Sequence, residues 1–481
     1  MTMFSLADAA QVIDGASVQG DAAATFDRVS TDSRTAGPGD LFVALKGERF
    51  DAHDFLPDVA ARGVSAVLVS HVPADWQVPS LVAPDTRAAL GELARGWRRR
   101  FTRPLVAVTG SNGKTTVKEM IASIFAQACG EAARLATAGN LNNDVGLPLT
   151  LLRLSDAHQL AVVELGMNHP GETALLAKLA EPTIALVNNA QREHQEFMAT
   201  VEAVALEHAS VIHALGPDGI AVFPADDAYA GIWRVAATGN RVIDFALRSA
   251  AQPAAAVIGE LVRNRLRVET PSGVFEATLQ VLGEHNARNA LAATAAALAA
   301  NVPLDAIRRG LEAFTPVKGR LQAKRAARGT LAGATVIDDT YNANPDSMRA
   351  AIDVLAAQPA PRVLVMGDMG EVGDQGPEFH REIGAYARER GLSALYAFGE
   401  ASRDACRAFD AAGSQTEPAA AGAQAHHFDD LTVLIEHLLQ AGFGAGATLL
   451  VKGSRFMRME RIVDALIESQ PPAPGAVPGA H

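Results

Sequence analysis

Val106-Ala107-Val108-Thr109-Gly110-Ser111-Asn112-Gly113-Lys114-Thr115-Thr116 is the stretch on which the reading of this chain turns. A short apolar run meets two glycines, a lysine and two threonines, and an apolar pattern of helical period continues from Lys114 to Ala128. A buried strand that turns sharply into a helix is the setting a phosphate loop requires. Gly110 and Gly113 let backbone N–H groups turn toward phosphate oxygens, Lys114 supplies a point charge, and the Thr115 hydroxyl is suited to Mg²⁺. Ser111, Asn112 and Thr116 complete the candidate nucleotide loop. The spacing is the compact GxxGKT form, because Val108 stands where the longer pattern has its first glycine. A plain glycine turn capping a helix accounts for the glycines but not for the Lys-Thr pair. ATP is favoured over GTP, since the Asn-Lys-x-Asp motif that reads guanine is absent.

Working outward, strand-like and helical runs alternate on both sides of this loop. Leu105 to Thr109 precedes the helix from Lys114, Ala161 to Glu164 precedes Glu172 to Ala180, and Thr183 to Val187 precedes Val201 to Ala214. Alternation of this kind predicts βαβ units and a parallel sheet covered by helices. A hairpin-like stretch, Val257 to Leu282, interrupts before an Ala-rich helix expected after Arg288. From Thr335 the alternation restarts: strands at Thr335 to Ile337, Arg362 to Met366, Leu395 to Phe398 and Thr448 to Val451, with helices from Ser347, Phe379, Ser402 and Met457. Upstream, Leu41 to Leu45 and Ala66 to Ser70 are short strand-like runs among Gly- and Pro-rich turns, and Ser5-Leu6-Ala7-Asp8 has the form of a capping box. The cluster Arg98, Arg99, Arg100 and Arg103 reads as solvated charge at a helix C-terminus.

The predicted fold class is therefore α/β in three domains: a small N-terminal α/β domain (1–103), a central P-loop ATPase-like, mostly parallel sheet (104–316) and a C-terminal Rossmann-like doubly wound sheet (317–468). The Pro-, Gly- and Ala-rich segment 469–481 is expected to be a disordered tail. A length of 481 residues, 48% of them hydrophobic, is enough for several cores. With 42 Lys and Arg against 54 Asp and Glu, the net charge of -12 repels nucleic acid, so anionic ligands must be held locally. Cys129 and Cys406 lack CxxC partners, which fits a reducing cytoplasm. No signal-like start is present, and the longest uncharged stretch, Asn289 to Leu304, falls short of the roughly 20 apolar residues of a membrane helix.

Two further groups face the crevice expected beyond the strand ends. Glu164 closes a buried strand, and a buried carboxylate there needs a partner such as Mg²⁺. His194, in Asn188-Asn189-Ala190-Gln191-Arg192-Glu193-His194-Gln195-Glu196, follows the third strand. Gly367-Asp368-Met369-Gly370-Glu371-Val372-Gly373 also follows a strand, but it lacks the spacing of a dinucleotide loop.

Together these motifs resemble the Mur ligases, over about residues 28 to 460. Thr31-Asp32-Ser33-Arg34 and the segment from Phe42 through Lys46 and Gly47 to His53 are similar to the part that holds the uridine end of the substrate. Gly139-Asn140-Leu141-Asn142-Asn143 joins the phosphate loop and Glu164 in the central block, with Asn140 and Asn143 as substrate-binding candidates. Gly283-Glu284-His285-Asn286-Ala287-Arg288-Asn289 resembles the stretch near the adenine, which implies that Asn286 and Asn289 bind ATP. Lys318-Gly319-Arg320, Asp338 to Ser347 and Lys452-Gly453-Ser454-Arg455 resemble a domain that closes over ATP and brings the incoming amino acid. The resemblance implies Arg320 and Tyr341 at the nucleotide, Asn344 and Lys452 at the substrate, and Lys114 and Arg320 as the catalytic cations.

The activity implied is ATP- and Mg²⁺-dependent ligation of D-alanyl-D-alanine to UDP-N-acetylmuramoyl-tripeptide through an acyl phosphate, by a cytoplasmic protein expected to be a monomer. Thr115, Glu164 and His194 are the implied metal residues. One departure stands out. The family carries a carbamylated lysine as a ligand of a second Mg²⁺, and an ungapped count from His194 puts that position at His208. No lysine lies between Lys178 and Lys318, so His208, Glu207, or His194 with water must serve, the last being favoured. Rival readings are a sister Mur-type or folylpolyglutamate-type ligase, or a nucleotide-dependent switch ATPase.

Overall fold

The computed structural model describes residues 2–249, 254–413 and 423–467. The expected tail 469–481 lies outside the described residues. The N-terminal sheet has five strands in the order Ser17–Gln19, Ser80–Val82, Ala66–Val69, Asp40–Val43 and Arg28–Ser30, parallel except for the first. Ser5 does cap the helix Leu6–Val12, its hydroxyl accepting from the Asp8 N–H at 3.1 Å.

The helix Thr86–Arg98 seals this domain to the next. Its cap is Asp85, which accepts from the N–H groups of Arg87 and Ala88. Trp97 donates its indole N–H to the Leu154 carbonyl at 3.0 Å. One buried apolar cluster runs unbroken from Phe4 and Trp97 through Leu151 and Val163 to Trp233. Arg98 corrects the expectation of a solvated charge: it is buried and donates to the carbonyls of Phe101, Ala180 and Glu181. Three carbonyl partners offset the desolvation that lowers its pKa. Arg95 and Arg99 both pair with the Glu181 carboxylate, so Arg95, Arg98 and Arg99 staple the two domains, while Arg99, Arg100 and Arg103 are exposed as expected.

The central sheet holds six parallel strands in the order Arg241–Val242, Ile220–Val222, Ile184–Val187, Leu105–Thr109, Leu160–Glu164 and Arg134–Ala136. The phosphate-loop strand is central and fully buried. The strand order reverses there, which is where an open α/β sheet leaves a crevice at its carboxyl edge. The hairpin expected after Val257 forms a separate four-stranded sheet, Phe245–Leu247, Val257–Val262, Arg265–Thr270 and Gly273–Thr278.

The third sheet runs Gln322–Arg325, Thr335–Asp339, Thr448–Lys452, Arg362–Gly367, Ala394–Phe398 and Gln424–Phe428, parallel except at its first edge. Three helices begin before their expected starts, one of them Gly376–Glu389, expected from Phe379. Asn344 and Ser347 form a capping box with Pro345 in the first turn, so the helix expected from Ser347 is Pro345–Ala356. The Ala-rich helix is Glu284–Ala299, which puts Asn286 and Asn289 inside it. The helix expected from Met457 begins later, at Glu460, after a single 3₁₀ turn, Arg455–Met457. Among the described residues no helix is long and apolar enough to cross a membrane.

Candidate active site

A cavity of about 920 Å³ opens where the carboxyl edges of the central and third sheets face each other. Of the nucleotide-loop candidates, Ser111, Asn112, Gly113, Lys114, Thr115 and Thr116 line it. Gly110 lies at the strand end with φ 134°, a conformation open to glycine. Gly113, at φ 80°, is fixed by crowding as well: a Cβ there would sit 2.5 Å from Asn289 Oδ1 and 2.8 Å from Asn188 Nδ2.

That crowding comes from a lattice of amides beneath the loop. Asn188 donates to the Asn112 carbonyl at 2.8 Å and to Asn289 Oδ1 at 2.9 Å, and Asn289 donates to Asn286 Oδ1 at 3.1 Å. Asn189 donates to the same Asn112 carbonyl and accepts from the Asn112 N–H. Ser111 exchanges hydrogen bonds with the backbone of Gln191. Buried amides satisfied by one another hold a backbone in one conformation. Asn286 and Asn289 thus line the cavity and also brace the phosphate loop. Asn188, Asn189 and Gln191 are absent from the sequence-derived candidates; the signal was their place after a buried strand parallel to the loop's own.

Lys114 donates to the Gly110 and Ser111 carbonyls and lies 3.3 Å from Glu193 Oε2. Burial alone would push the Glu193 carboxyl up. The Lys114 charge and the hydrogen bond from His208 outweigh it, holding the carboxyl well below its ordinary range.

The metal candidates separate into two groups. Thr115 donates to Glu164 Oε1 at 3.1 Å, and Asn142 donates to the same oxygen at 2.8 Å. Glu164 is 2% exposed, and its Oε2 is buried with no partner. A hydroxyl beside an unpartnered buried carboxylate oxygen fits Mg²⁺, which takes one or two protein oxygens and fills the rest of its shell with water and phosphate. His194 lines the same cavity but has a carboxylate of its own: its Nδ1 lies 2.8 Å from Glu371 of the third domain. The two alternatives at the lysine position are also engaged. Glu207 accepts from the N–H groups of Gly171 and Thr173 at a helix start, and His208 is buried between Thr109 and Glu193. No group of three or more His, Cys, Asp or Glu suited to a metal occurs among the described residues.

The third domain reaches across the cavity. Arg320 donates from Nη2 to Thr115 Oγ1 at 2.9 Å, and its guanidinium stacks 4.2 Å from the Tyr341 ring centre. Asn344 donates to Asn112 Oδ1 at 2.9 Å. Arg192 forks onto both Asp346 and Glu382, and burial that would lower its pKa is overcome by these hydrogen bonds and charges. Glu382, like Arg192, is absent from the candidates read in sequence. Lys452 lines the cavity but is 3% exposed, its ammonium held by Asp339 Oδ2 at 2.6 Å and the Asn342 carbonyl at 2.9 Å.

On the near wall, Asn140 and Asn143 both line the cavity, and Asn143 accepts from the Gly146 N–H at 2.8 Å. The N-terminal candidates are not brought to it: Thr31, Asp32, Ser33, Arg34, Lys46 and Gly47 are outside its lining. Arg34 instead forks onto Asp32, Lys46 Nζ lies 3.9 Å from Asp51, and the Gly47 N–H donates to the Phe50 carbonyl.

Three family patterns match the chain: the Mur ligase catalytic domain over residues 25–98, the Mur ligase middle domain over 108–297, and the Mur ligase glutamate ligase domain over 319–455. UDP-N-acetylmuramoyl-tripeptide--D-alanyl-D-alanine ligase of Escherichia coli (strain K12) is 41% identical over 92% of this chain and 94% of its own length. The Haemophilus influenzae protein of the same name is 37% identical over 97% and 99%. A crystal structure of MurF from Acinetobacter baumannii superposes with a TM-score of 0.85 at 36% identity, covering 97% of this chain and 99% of that one.

Proposed function

The chain belongs to the Mur ligase family, and from that premise we propose how its own residues share the work of ligation. It is an ATP-dependent ligase that joins D-alanyl-D-alanine to UDP-N-acetylmuramoyl-tripeptide by a C–N bond, the step that completes the peptide of the peptidoglycan precursor. A carboxylate does not acylate an amine usefully, because its oxygen leaves poorly. Transfer of the ATP γ-phosphoryl group to it gives an acyl phosphate, and attack by the dipeptide amine then expels phosphate.

We assign 1–103 to the UDP end of the substrate, 104–316 to ATP, and 317–468 to the incoming dipeptide. Phosphoryl transfer is catalysed mainly by positioning and charge neutralisation. Lys114 faces the γ-phosphate, and the braced N–H groups from Gly110 to Thr116 hold the phosphate chain. Thr115 and Glu164 would hold Mg²⁺, which would supply further positive charge to neutralise the phosphates. Arg320, stacked on Tyr341 and already reaching Thr115, is the cation the third domain delivers on closure. Asn286 and Asn289 lie toward the adenine side of the loop. Thr31, Asp32, Ser33, Arg34, Lys46 and Gly47 hold the uridine diphosphate, Asn140 and Asn143 the muramoyl peptide, and Asn344 and Lys452 the dipeptide. Closure excludes the water that would hydrolyse the acyl phosphate. A supply of ATP places the reaction in the cytoplasm.

The observation that carries this reading is the convergence on one cavity of a braced phosphate loop, a carboxylate oxygen without a partner at Glu164, and Arg320 from the opposing domain. The test is phosphate release from ATP and Mg²⁺, with the UDP-tripeptide and D-alanyl-D-alanine supplied singly and together. Release that needs both, with pentapeptide formed, is expected; release indifferent to both would make the protein a switch ATPase.

A further inference from the structure

Helix Val201–His213 carries a histidine at position 208 with no solvent exposure, and both of its ring nitrogens are engaged. Nδ1 lies 3.0 Å from Thr109 Oγ1, and Nε2 lies 3.0 Å from Glu193 Oε1. The second Glu193 oxygen lies 3.3 Å from the Lys114 ammonium. Thr109 is the last residue of the strand before the phosphate loop, and Lys114 is the first of the helix after it. A continuous chain, Thr109–His208–Glu193–Lys114, buried as far as Glu193, therefore bridges the two ends of the loop.

One proton arrangement satisfies every link. The Thr109 hydroxyl donates to Nδ1, the Nε2–H donates to Glu193 Oε1, and Oε2 receives the lysine ammonium. The imidazole is neutral in this arrangement, so the chain needs no charge on His208. Its only net charges are the opposed ones of Glu193 and Lys114. A buried carboxylate shared in this way fixes the direction of the ammonium, which otherwise sits on a flexible stem of four carbons.

We propose that His208 is a positioning residue for phosphoryl transfer: by orienting the Glu193 carboxylate, it aims the Lys114 ammonium at the site of the γ-phosphate. This rests on the role assigned to Lys114 above. Neither His208 nor Glu193 touches the reacting atoms, and the effect reaches them only through Lys114. The consequence is that His208 and Glu193 act as one unit, and removing the first matters only while the second is present.

The test is a double-variant cycle on the full-length protein, read as phosphate release with both substrates. H208L is expected to lower kcat by about ten-fold or more, while KM for D-alanyl-D-alanine and for the UDP-tripeptide stays within about two-fold. E193Q is expected to lower kcat at least as far. The double variant H208L/E193Q should be no slower than E193Q, because the contribution of His208 passes through Glu193. H208Q, which restores an N–H donor, should regain most of the rate lost in H208L.

Losses that multiply in the double variant, or a wild-type kcat in H208L, would overturn the proposal. If leucine prevents folding, T109V removes the far hydrogen bond at constant volume and must show the same non-additivity with E193Q. A wild-type protein whose phosphate release ignores the substrates would defeat the ligase reading itself, so the two failures appear in different samples.

Discussion

The two ends of the proposed substrate path are built on opposite plans. At the nucleotide end, Glu164, Glu193, Asn188, Asn286 and Asn289 are buried and hydrogen-bonded to one another or to the loop they support. At the N-terminal end, Arg34 has a side chain 82% exposed, and its partner Asp32 is only two residues away. The first surface is shaped before ATP arrives and so loses little conformational freedom on binding. The second is a local ion pair in water, where charges gain modest energy from each other and must be reoriented by the ligand. Substitutions at the nucleotide end should therefore damage the chemical step, and those at the N-terminal end should damage binding.

The hardest attempt to break that contrast is K114A. It removes the cation while leaving the asparagine lattice beneath the loop in place, and kcat is expected to fall by roughly 10²–10³-fold, as when one preorganised charge-stabilising donor is lost. Single-turnover phosphate transfer would check it; a change confined to KM would place Lys114 in uniform binding. Next comes E164Q. It keeps the hydrogen bonds of Oε1 but weakens the carboxylate with the unpartnered oxygen, and the Mg²⁺ concentration giving half-maximal rate should rise by about ten-fold or more. Titration of activity with Mg²⁺ reads it directly, and an unchanged midpoint would remove Glu164 from the metal site.

The same contrast explains what the sequence disclosed. Period and spacing are local properties, so the strand Leu105–Thr109, the helix from Lys114 and the hairpins after Val257 were legible, as was the third sheet. The brace was not. Asn188 lies 76 residues from Asn112 and 101 from Asn289, and nothing in an isolated asparagine says that its amide will sit under a glycine. The burial of Arg98 is not legible locally for a related reason: its carbonyl partners at Ala180 and Glu181 come from another domain. His194 was placed correctly after its strand, yet it pairs with Glu371, because the third domain supplies a carboxylate that a reading of the central sheet alone leaves out.

Between the two ends stands Arg192, whose effect should be intermediate. It holds Asp346 and Glu382 at 2.6 Å and 2.7 Å and so fastens the central domain to the third one. R192A should shift the protein toward open forms and raise KM for D-alanyl-D-alanine, with kcat/KM falling by about ten-fold, the order expected when a charge-assisted fork is removed. Small-angle scattering with ATP present should show a larger radius for the variant; equal radii would confine Arg192 to a local role.

The smallest effect belongs to the N-terminal pair. Hydrogen bonds from the Arg34 side chain and backbone hold the Asp32 carboxyl down at about 2. A carboxyl lowered in the folded state contributes stability that is complete above its ordinary range near pH 4 and is lost as pH falls toward 2. D32N should therefore unfold at nearly the same denaturant concentration as wild type only below about pH 2, and slightly earlier at pH 7. Because Arg34 is open to solvent, salt at about 1 M, where the Debye length is about 3 Å, should erase most of that difference. Persistence of the gap in high salt would mean that the pair is shielded from water. The N-terminal end would then be preformed like the nucleotide end, and R34A would damage the chemical step rather than binding.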